Sequence, residues 1–173
     1  IIQCRMTSER FPGKVLAPFL GKPLLDHIVG QVKKTHFCSS IILATSVDKT
    51  DDPLSIYAKD LGLEVVRGSL EDVVERYTLA LDSHSCDAFF RVCGDSPLLL
   101  PNLFDHAVSI YKNKPYDIIT NVFPRSYPVG MSVELIKTET FLRTKENIIS
   151  RNEKEHLSEY FYNNYKNFQV YNI

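Results

Sequence analysis

Three cationic side chains and a hydroxyl lie close together near the start of the chain. Arg5, Arg10 and Lys14 fall within ten residues, with Ser8 and Gly13 between them. Guanidinium, ammonium and hydroxyl donors at this density suit the charged oxygens of a polyphosphate. The segment matches neither the glycine-rich pattern of dinucleotide-binding folds nor that of P-loop nucleotidases. Taken alone, it is equally well interpreted as a phosphate-binding loop and as a solvated surface loop.

A second candidate is the carboxylate of Asp95, which follows the run Phe89–Cys93 and Gly94. Magnesium sites in proteins commonly combine one or two carboxylates with phosphate oxygens of a substrate. A carboxylate at the end of a buried strand is therefore suited to a magnesium–phosphate site. Taken alone, the segment before Ser96-Pro97 is explained more readily by an Asx turn or a helix cap.

A third candidate segment runs from Arg67 to Asp72, with Arg76 one helical turn further on. A helix start of the capping-box kind explains Ser69 and Asp72 but gives Arg67 and Arg76 no role. The histidines indicate less, because none has a partner at metal or triad spacing. A solvated helix face explains His156 as well as a site does. No serine-hydrolase or zinc-protease motif occurs in the chain.

Strand patterns and helix patterns alternate along the chain and must position these residues. Strands are predicted at Ser40–Thr45, Leu63–Arg67, Ala88–Cys93 and Asp117–Val122. Helices are predicted from Pro23, from Asp52-Pro53 to Gly62, from Ser69 or Asp72, and from Pro101 through Tyr111. We expect an α/β fold, a doubly wound (Rossmann-like), mostly parallel sheet with helices on both faces. Ligands of such sheets bind beyond the carboxyl ends of the strands, where the three candidate loops lie.

The chain changes character after Asn121. A proline-rich turn is followed by an alternating strand at Met131–Ile136 and by polar helices around Thr138–Lys145 and Arg151–Asn163. This tail predicts an antiparallel edge of the sheet or a dimer contact. We expect residues 1–173 to form one domain that lacks its C-terminal end.

Composition excludes several classes of protein. The 173 residues are 44% hydrophobic with a formal net charge of −1, which argues against disorder and against a dedicated nucleic-acid binder. The four cysteines have no zinc-site spacing and suit the core of a reduced, cytoplasmic protein. The sequence contains no apolar run long enough to span a membrane, so we expect neither a nucleic-acid nor a membrane partner.

Together these segments resemble the cytidylyltransferases that make CMP-activated sugars, of the spore coat polysaccharide protein F and acylneuraminate cytidylyltransferase types. The resemblance spans nearly the whole chain in order, and the first motif is fairly specific. The matching segments are Ile1–Lys14, Gly21–Leu25, Ala44–Ser46, Asp51–Pro53, Arg67–Ser69, Arg91–Pro97, Asn121-Val122, Pro124-Arg125, Pro128–Gly130 and Glu155-His156.

The resemblance implies a fold of the nucleotide-diphospho-sugar transferase type and a Mg²⁺-dependent nucleotidyltransferase. The implied reaction transfers CMP from CTP to a sugar, an acidic one of the nonulosonic or octulosonic kind, for surface polysaccharide, and releases pyrophosphate. A homodimer is also implied. The implied catalytic residues are Arg10, Lys14 and Asp95, with Asp95 as metal ligand. The triphosphate is expected at Arg5, Ser8, Arg10 and Lys14, the ribose or base at Arg67, Ser69 and Arg76, and the sugar at Arg125, Tyr127, Glu134 and His156.

Two departures from the family pattern keep other functions open. Ser132 stands where the family usually has an aspartate, although Glu134 is close enough in sequence to substitute for it. The late family motif whose aspartate is the second metal ligand does not occur within residues 1–173. A catalytically impaired nucleotide- or sugar-binding module is therefore one alternative. A nucleotidyltransferase that uses UTP or GTP is another, because a phosphate loop does not itself recognise the base.

Overall fold

A computed structural model of the chain describes residues 1–8 and 10–173. Its strands are β1 (Ile2–Gln3), β2 (Pro18–Phe19), β3 (Lys22–Pro23), β4 (Ile42–Ser46), β5 (Glu64–Gly68), β6 (Ala88–Phe90), β7 (Val92–Cys93), β8 (Ile118–Thr120), β9 (Glu134–Lys137) and β10 (Val170–Asn172). Its α-helices are α1 (Leu24–Val32), α2 (Asp52–Asp60), α3 (Val73–Ser83), α4 (Pro101–Asn113), α5 (Thr138–Thr144), α6 (Arg151–Glu155) and α7 (Ser158–Asn163). Strands and helices alternate through most of the chain, which confirms the predicted α/β class.

Two four-stranded sheets form the centre of the molecule. The first is parallel throughout, in the order β5-β4-β1-β7. The second has the order β10-β8-β9-β6, with β9 antiparallel to both of its neighbours and β10 parallel to β8. Only Arg91 separates β6 from β7, and its backbone N–H donates to the carbonyl of Glu134. One predicted strand, Ala88–Cys93, therefore crosses from one sheet into the other at Arg91.

Helices cover both faces of the sheets, as the apolar runs predict. Successive strand residues point to opposite faces, and Ile118 and Ile136 belong to one buried cluster while Ile119 and Leu135 belong to the other. One cluster contains residues of α1, α2 and α4, and the other contains residues of α3, α5 and α7. Burying both faces explains why the strands are apolar along their whole length.

Local signals set most helix ends close to their predicted positions. Asp72 caps α3 by accepting a hydrogen bond from the backbone N–H of Glu75 at 2.9 Å. Gly62 follows α2 with a φ of 74°, a left-handed conformation that glycine adopts without strain. The predicted helix Arg151–Asn163 is two helices instead, because His156 and Leu157 turn the chain between α6 and α7. Within the residues described, no helix combines the length and hydropathy required to span a membrane.

Candidate active site

The first loop and the loop after β7 meet at the carboxyl edge of the parallel sheet. Lys14 Nζ lies 2.5 Å from Asp95 Oδ2, although 81 positions separate the two residues. Gly94 makes this approach possible, because a Cβ at that position would lie 2.3 Å from the Cβ of Cys4. The two sequence candidates for phosphate and metal binding therefore lie side by side.

Asp51 holds the first loop against the sheet. Its side chain is fully buried, and its Oδ1 accepts a 2.6 Å hydrogen bond from the backbone N–H of Met6. Its Oδ2 accepts bonds from the Thr45 hydroxyl at 2.9 Å, from the Ser46 backbone N–H at 3.0 Å and from the Ser46 hydroxyl. A buried carboxylate with this many donors is well compensated, so the loop is anchored at Met6 before any ligand arrives. The loop closes where Gly13, at a φ of 73°, donates to the Met6 carbonyl.

The remaining polar residues of the first loop differ in their partners. Arg5 Nη2 lies 2.8 Å from Glu155 Oε1, which joins the loop to α6. Arg10 is exposed and makes no hydrogen bond or ion pair with the described residues. Ser8 is half-buried, and its backbone N–H donates to the Met6 carbonyl. The loop therefore presents Arg10 and the Ser8 hydroxyl without intramolecular partners in the part of the chain described.

The third loop is occupied mainly with its own structure. Arg67 donates from Nε to the Ser46 carbonyl at 2.7 Å and from Nη2 to the Asp48 carbonyl at 2.9 Å, and it pairs with Asp52 at 2.7 Å. The Ser69 hydroxyl accepts from the backbone N–H groups of residues 71 and 72. Both residues border the carboxyl edge of the sheet, and these contacts engage the Ser69 hydroxyl and the Nε and Nη2 groups of Arg67.

Arg76 lies on the inner face of α3 and is only 3% exposed. Its Nε and Nη1 atoms are buried and have no hydrogen-bond partner among the described residues. Burial lowers the pKa of Arg76, and the positive charge of Arg5 lowers it further. The hydroxyl of Thr7, in the first loop, is also buried and has no hydrogen-bond partner among the described residues.

A cavity of about 340 Å³ opens beside the Lys14–Asp95 pair, lined by residues next to Asp95 and by the tail of the chain. Its lining is Arg91, Cys93, Ser96, Leu99, Val122, Arg125, Ser132, Glu134, His156, Ser158, Glu159 and Tyr162. Three of the four residues predicted to contact the sugar, Arg125, Glu134 and His156, are in this lining. The fourth, Tyr127, lies in the adjacent loop, and its carbonyl is 3.5 Å from Arg125 Nη1.

A buried ion pair forms the floor of this cavity. Arg91 Nη1 lies 2.6 Å from Glu134 Oε2, and the hydroxyl of Tyr162 donates to Glu134 Oε1 at 2.6 Å. Burial opposes the positive charge of Arg91, but Glu134 raises the pKa of Arg91 well above its usual range. Both Glu134 oxygens therefore have donors within the protein.

Arg125 and Ser158, in the cavity wall, have polar groups with only long hydrogen-bond contacts or none among the described residues. Arg125 is exposed, and its contacts to the Tyr127 carbonyl and to the Ser132 hydroxyl are long, at 3.5 and 3.4 Å. Ser158 is 3% exposed, and its hydroxyl has no hydrogen-bond partner in the part of the chain described. The cavity thus offers a cation and a hydroxyl with unused hydrogen-bonding capacity.

The donor set at Asp95 suits a metal ion that a nucleotide helps to hold. Among the described residues, no group of three or more His, Cys, Asp and Glu side chains could hold a metal ion. Magnesium typically takes one or two carboxylates and completes its shell with substrate phosphates and waters. A single exposed carboxylate beside a cationic loop fits that pattern.

Several site residues were missed by sequence reasoning. Arg91 had a readable signal, since a charge between the apolar residues of a buried strand requires a partner. Tyr162, Ser158 and Glu159 lacked one, because they reach the cavity only through the turn between α6 and α7. A larger cavity, about 890 Å³, opens at the amino ends of the strands, where Ile1, Ile41 and Ala88 line it. It is distant from all the candidate loops.

A family model described as cytidylyltransferase matches residues 1–171. An uncharacterized protein of Methanocaldococcus jannaschii is 29% identical over 171 residues, which cover 99% of this chain and 69% of that protein. The spore coat polysaccharide biosynthesis protein SpsF of Bacillus subtilis is 32% identical over 148 residues, which cover 82% of this chain and 60% of SpsF. The 3-deoxy-manno-octulosonate cytidylyltransferase of Pelobacter propionicus is 30% identical over 108 residues, which cover 62% of this chain and 42% of that enzyme.

The structure of a cytidylyltransferase from Leptospira borgpetersenii superposes with a TM-score of 0.94 at 28% identity. The alignment covers 99% of this chain and 73% of that one. The chain spans less than two thirds of the length of SpsF and of the Pelobacter enzyme. By the match over residues 1–171, the chain belongs to the cytidylyltransferase family.

Proposed function

We propose that this chain carries the catalytic site of a cytidylyltransferase that transfers CMP from CTP to an acidic sugar. The observation that carries the proposal is the contact between Lys14 and Asp95, which joins the cationic loop to the carboxylate beside a polar cavity. A triphosphate along the loop would lie next to an acceptor in the cavity. Family membership supports the choice of CTP among the nucleotides.

The nucleotide contacts that we propose follow from the unused donors of the loop. Arg10 and the Ser8 hydroxyl are free of partners among the described residues, and Arg5 and Lys14 each hold one exchangeable ion pair. These groups can neutralise a triphosphate, which carries about four negative charges. Arg67 and Ser69 border the nucleotide through their positions, as the family resemblance implies, with their polar groups used to shape the third loop.

In the proposed reaction, an acceptor hydroxyl attacks the α-phosphorus of CTP. A new oxygen–phosphorus bond forms, the bond from the α-phosphorus to the bridging oxygen breaks, and pyrophosphate leaves with that oxygen while the hydroxyl proton passes to water. Positioning and charge neutralisation carry such a displacement. Asp95 would hold Mg²⁺, which when bound offsets phosphate charge and polarises the reacting oxygens. Arg10 and Lys14 would stabilise the charge that develops on the departing pyrophosphate.

The acceptor is proposed to be an acidic sugar because Arg125, in the cavity wall, is a cation that forms no ion pair with the described residues. Arg91 is neutralised by Glu134, so Arg125 remains for a carboxylate, with His156 and Tyr127 around it. An octulosonic acid is consistent with the name of the Pelobacter relative, a 3-deoxy-manno-octulosonate cytidylyltransferase. A role in surface polysaccharide is consistent with the name of the Bacillus relative.

We also propose a cytoplasmic homodimer. CTP is a cytoplasmic nucleotide, and the cysteines are free thiols in the structure. Leu98 and Val129 are 50% and 79% exposed, and Leu98 packs beside Gly130 next to the cavity. Apolar side chains gathered in this way are typical of protein interfaces.

Pyrophosphate release from CTP tests the proposal, with 3-deoxy-manno-octulosonate and N-acetylneuraminate as acceptors and Mg²⁺ present. Asp95→Asn should abolish turnover, because it removes the carboxylate while keeping the side-chain shape. Asp105→Asn, on α4 and away from the site, is the matched control and should retain it. Turnover by Asp95→Asn at the unaltered rate would overturn the metal role. Binding of CTP without turnover of any acceptor would favour the impaired binding module, and turnover with UTP or GTP instead of CTP would favour the other nucleotidyltransferase.

A further inference from the structure

Arg76 is a buried cation that forms no ion pair with any of the described residues. Burying a guanidinium that lacks partners is unfavourable, because the charge loses its hydration and gains nothing in return. The missing acceptors of such groups in folded proteins are commonly supplied by ordered water, a bound ion or a ligand. The Nε and Nη1 atoms of Arg76 are both buried and have no hydrogen-bond partner among the described residues.

The surroundings of Arg76 lie beneath the first loop. A Cβ placed on Gly68 would lie 3.1 Å from Arg76 Cγ, so the side chain runs past the carboxyl end of β5. The charges that act on Arg76 include those of Arg5 and Asp51, which border the same loop. Arg76 therefore approaches the carboxyl edge of the parallel sheet from the α3 side.

The neighbouring charges leave Arg76 electrostatically unsatisfied. Arg5 is a second cation and repels it. Asp51 is the nearby anion, but its two oxygens already accept from Met6, Thr45 and Ser46. Arg5 already pairs with Glu155, so Arg76 is the cation that the described residues leave uncompensated, and it favours a ligand that brings negative charge.

Arg67, near the end of β5, differs from Arg76 because it has hydrogen-bond partners within the protein. Its Nε and Nη2 atoms are bound by the Ser46 and Asp48 carbonyls and by Asp52. Of the two arginines, Arg76 is the one whose buried Nε and Nη1 atoms have no hydrogen-bond partner among the described residues.

We propose that Arg76 binds a phosphate group of the nucleotide from beneath the first loop, opposite Arg10 and Lys14. The inference rests on the proposed function for the presence of a triphosphate. It goes beyond that function because the family resemblance associates Arg76 with the ribose or base. A phosphate held between the loop and Arg76 would have cations on two sides, which fixes its position more firmly than the exposed loop alone.

The test compares the unaltered 173-residue chain with Arg76→Met, which keeps the apolar stem. Isothermal titration with inorganic pyrophosphate and with CTP, each with Mg²⁺, measures binding. We expect Arg76→Met to raise both dissociation constants about tenfold or more, the range for hydrogen bonds to a charged group. Arg143→Met, an exposed arginine of α5, is the control and should leave both constants unchanged. Dissociation constants for Arg76→Met within twofold of the unaltered protein would overturn the inference.

Thermal unfolding without ligand separates this role from a structural one. Since Arg76→Met loses no hydrogen bond or ion pair with the described residues, it should unfold at the same temperature as the unaltered chain or at a higher one. A clear decrease would mean that the guanidinium holds the fold together, and would overturn the inference.

A measurement on the unaltered protein covers the case in which Arg76→Met does not fold. The arginine Nε–H signals are recorded by ¹H–¹⁵N NMR, and the signal absent from Arg76→Lys is assigned to Arg76. Addition of pyrophosphate and Mg²⁺ should shift that signal, and an unmoved signal would overturn the inference. If the unaltered chain binds neither CTP nor pyrophosphate, the proposed function fails as well. If it binds both and Arg76→Met binds both equally, only the inference fails.

Discussion

Individual side chains in the site are held by partners that are far away in sequence. Lys14 and Asp95 were both predicted as site residues from their segments, and the structure brings them together. The pairing of Arg91 with Glu134 was not predicted, because it depends on the register that aligns Phe90 with Leu135. Residue types therefore nominate candidates for the site, whereas strand register decides which of these candidates already have partners within the protein.

The buried pair of Arg91 and Glu134 should contribute strongly to stability. Glu134→Gln would leave Arg91 buried without its counter-ion, which typically costs about 3–5 kcal/mol. Urea unfolding of the variant should therefore show a loss of at least about 3 kcal/mol. Glu139→Gln, on the exposed start of α5, serves as the control. A loss below about 1 kcal/mol for Glu134→Gln would show that water compensates Arg91.

Arg10 should contribute to CTP binding without contributing to folding. It is exposed, and Arg10→Ala removes no hydrogen bond or ion pair with the described residues. The binding free energy for CTP should weaken by about 1.5–3 kcal/mol, measured by titration calorimetry. The midpoint of thermal unfolding without ligand should not change. Unaltered CTP affinity would remove Arg10 from the site.

At the scale of elements, the alternation of strands and helices was predictable and the tail was not. The strand predicted at Met131–Ile136 is antiparallel, as expected, but β9 lies between β8 and β6 instead of at an edge. The reason is the bend at Arg91, which carries β6 into the second sheet and gives β9 a second neighbour. A single residue between two strands leaves no clear signal in the pattern of apolar residues.

Helix α6 forms ion pairs with both the first and the third loop. Glu155 pairs with Arg5, Lys154 pairs with Asp72 at 2.8 Å, and Arg151 pairs with Glu71 at 3.0 Å. Glu155 thus occupies a cation that the proposed triphosphate would use. Glu155→Gln should tighten CTP binding by up to about fivefold, since exposed ion pairs are worth at most about 1 kcal/mol. Glu153→Gln, on the same helix, should not change CTP binding, and weaker binding by Glu155→Gln would mean that Glu155 positions Arg5 instead.

The contact between α1 and α2 should depend on pH. The Tyr57 hydroxyl donates to Asp26 at 2.7 Å, and this hydrogen bond raises the pKa of Tyr57 to about 12. The pKa of tyrosine in an unfolded chain is about 10. The stabilisation from the Tyr57–Asp26 hydrogen bond is therefore complete below pH 10 and is lost as the pH rises through about 12. Tyr57→Phe should therefore unfold at a lower temperature than the unaltered chain at pH 8, and the difference should shrink above pH 10. A difference independent of pH would contradict this account.

At the scale of the whole molecule, the sheets bring the ends of β1, β5 and β7 to one edge, where the cationic loop, Arg76 and Asp95 lie around one region. The fold class was predictable, and the candidate loops meet at the carboxyl ends of the parallel strands, where such sheets commonly bind ligands. The cavity beside Asp95 was only partly predictable, since its wall includes Ser158 and Tyr162 from the tail. The route of the tail back to the sheet depends on tertiary packing of Leu157 and Phe161 in the core.

The most direct test of the central claim is thermal unfolding of the purified chain with CTP, UTP, GTP or ATP, each with and without Mg²⁺. A ligand that binds only the folded state, at 100 times its dissociation constant, stabilises that state by about 2.7 kcal/mol. We predict a higher unfolding temperature with CTP alone among the four nucleotides, and a larger increase with Mg²⁺. No increase with CTP at saturating concentration would contradict the claim that the first loop and Asp95 form a cytidine-nucleotide site.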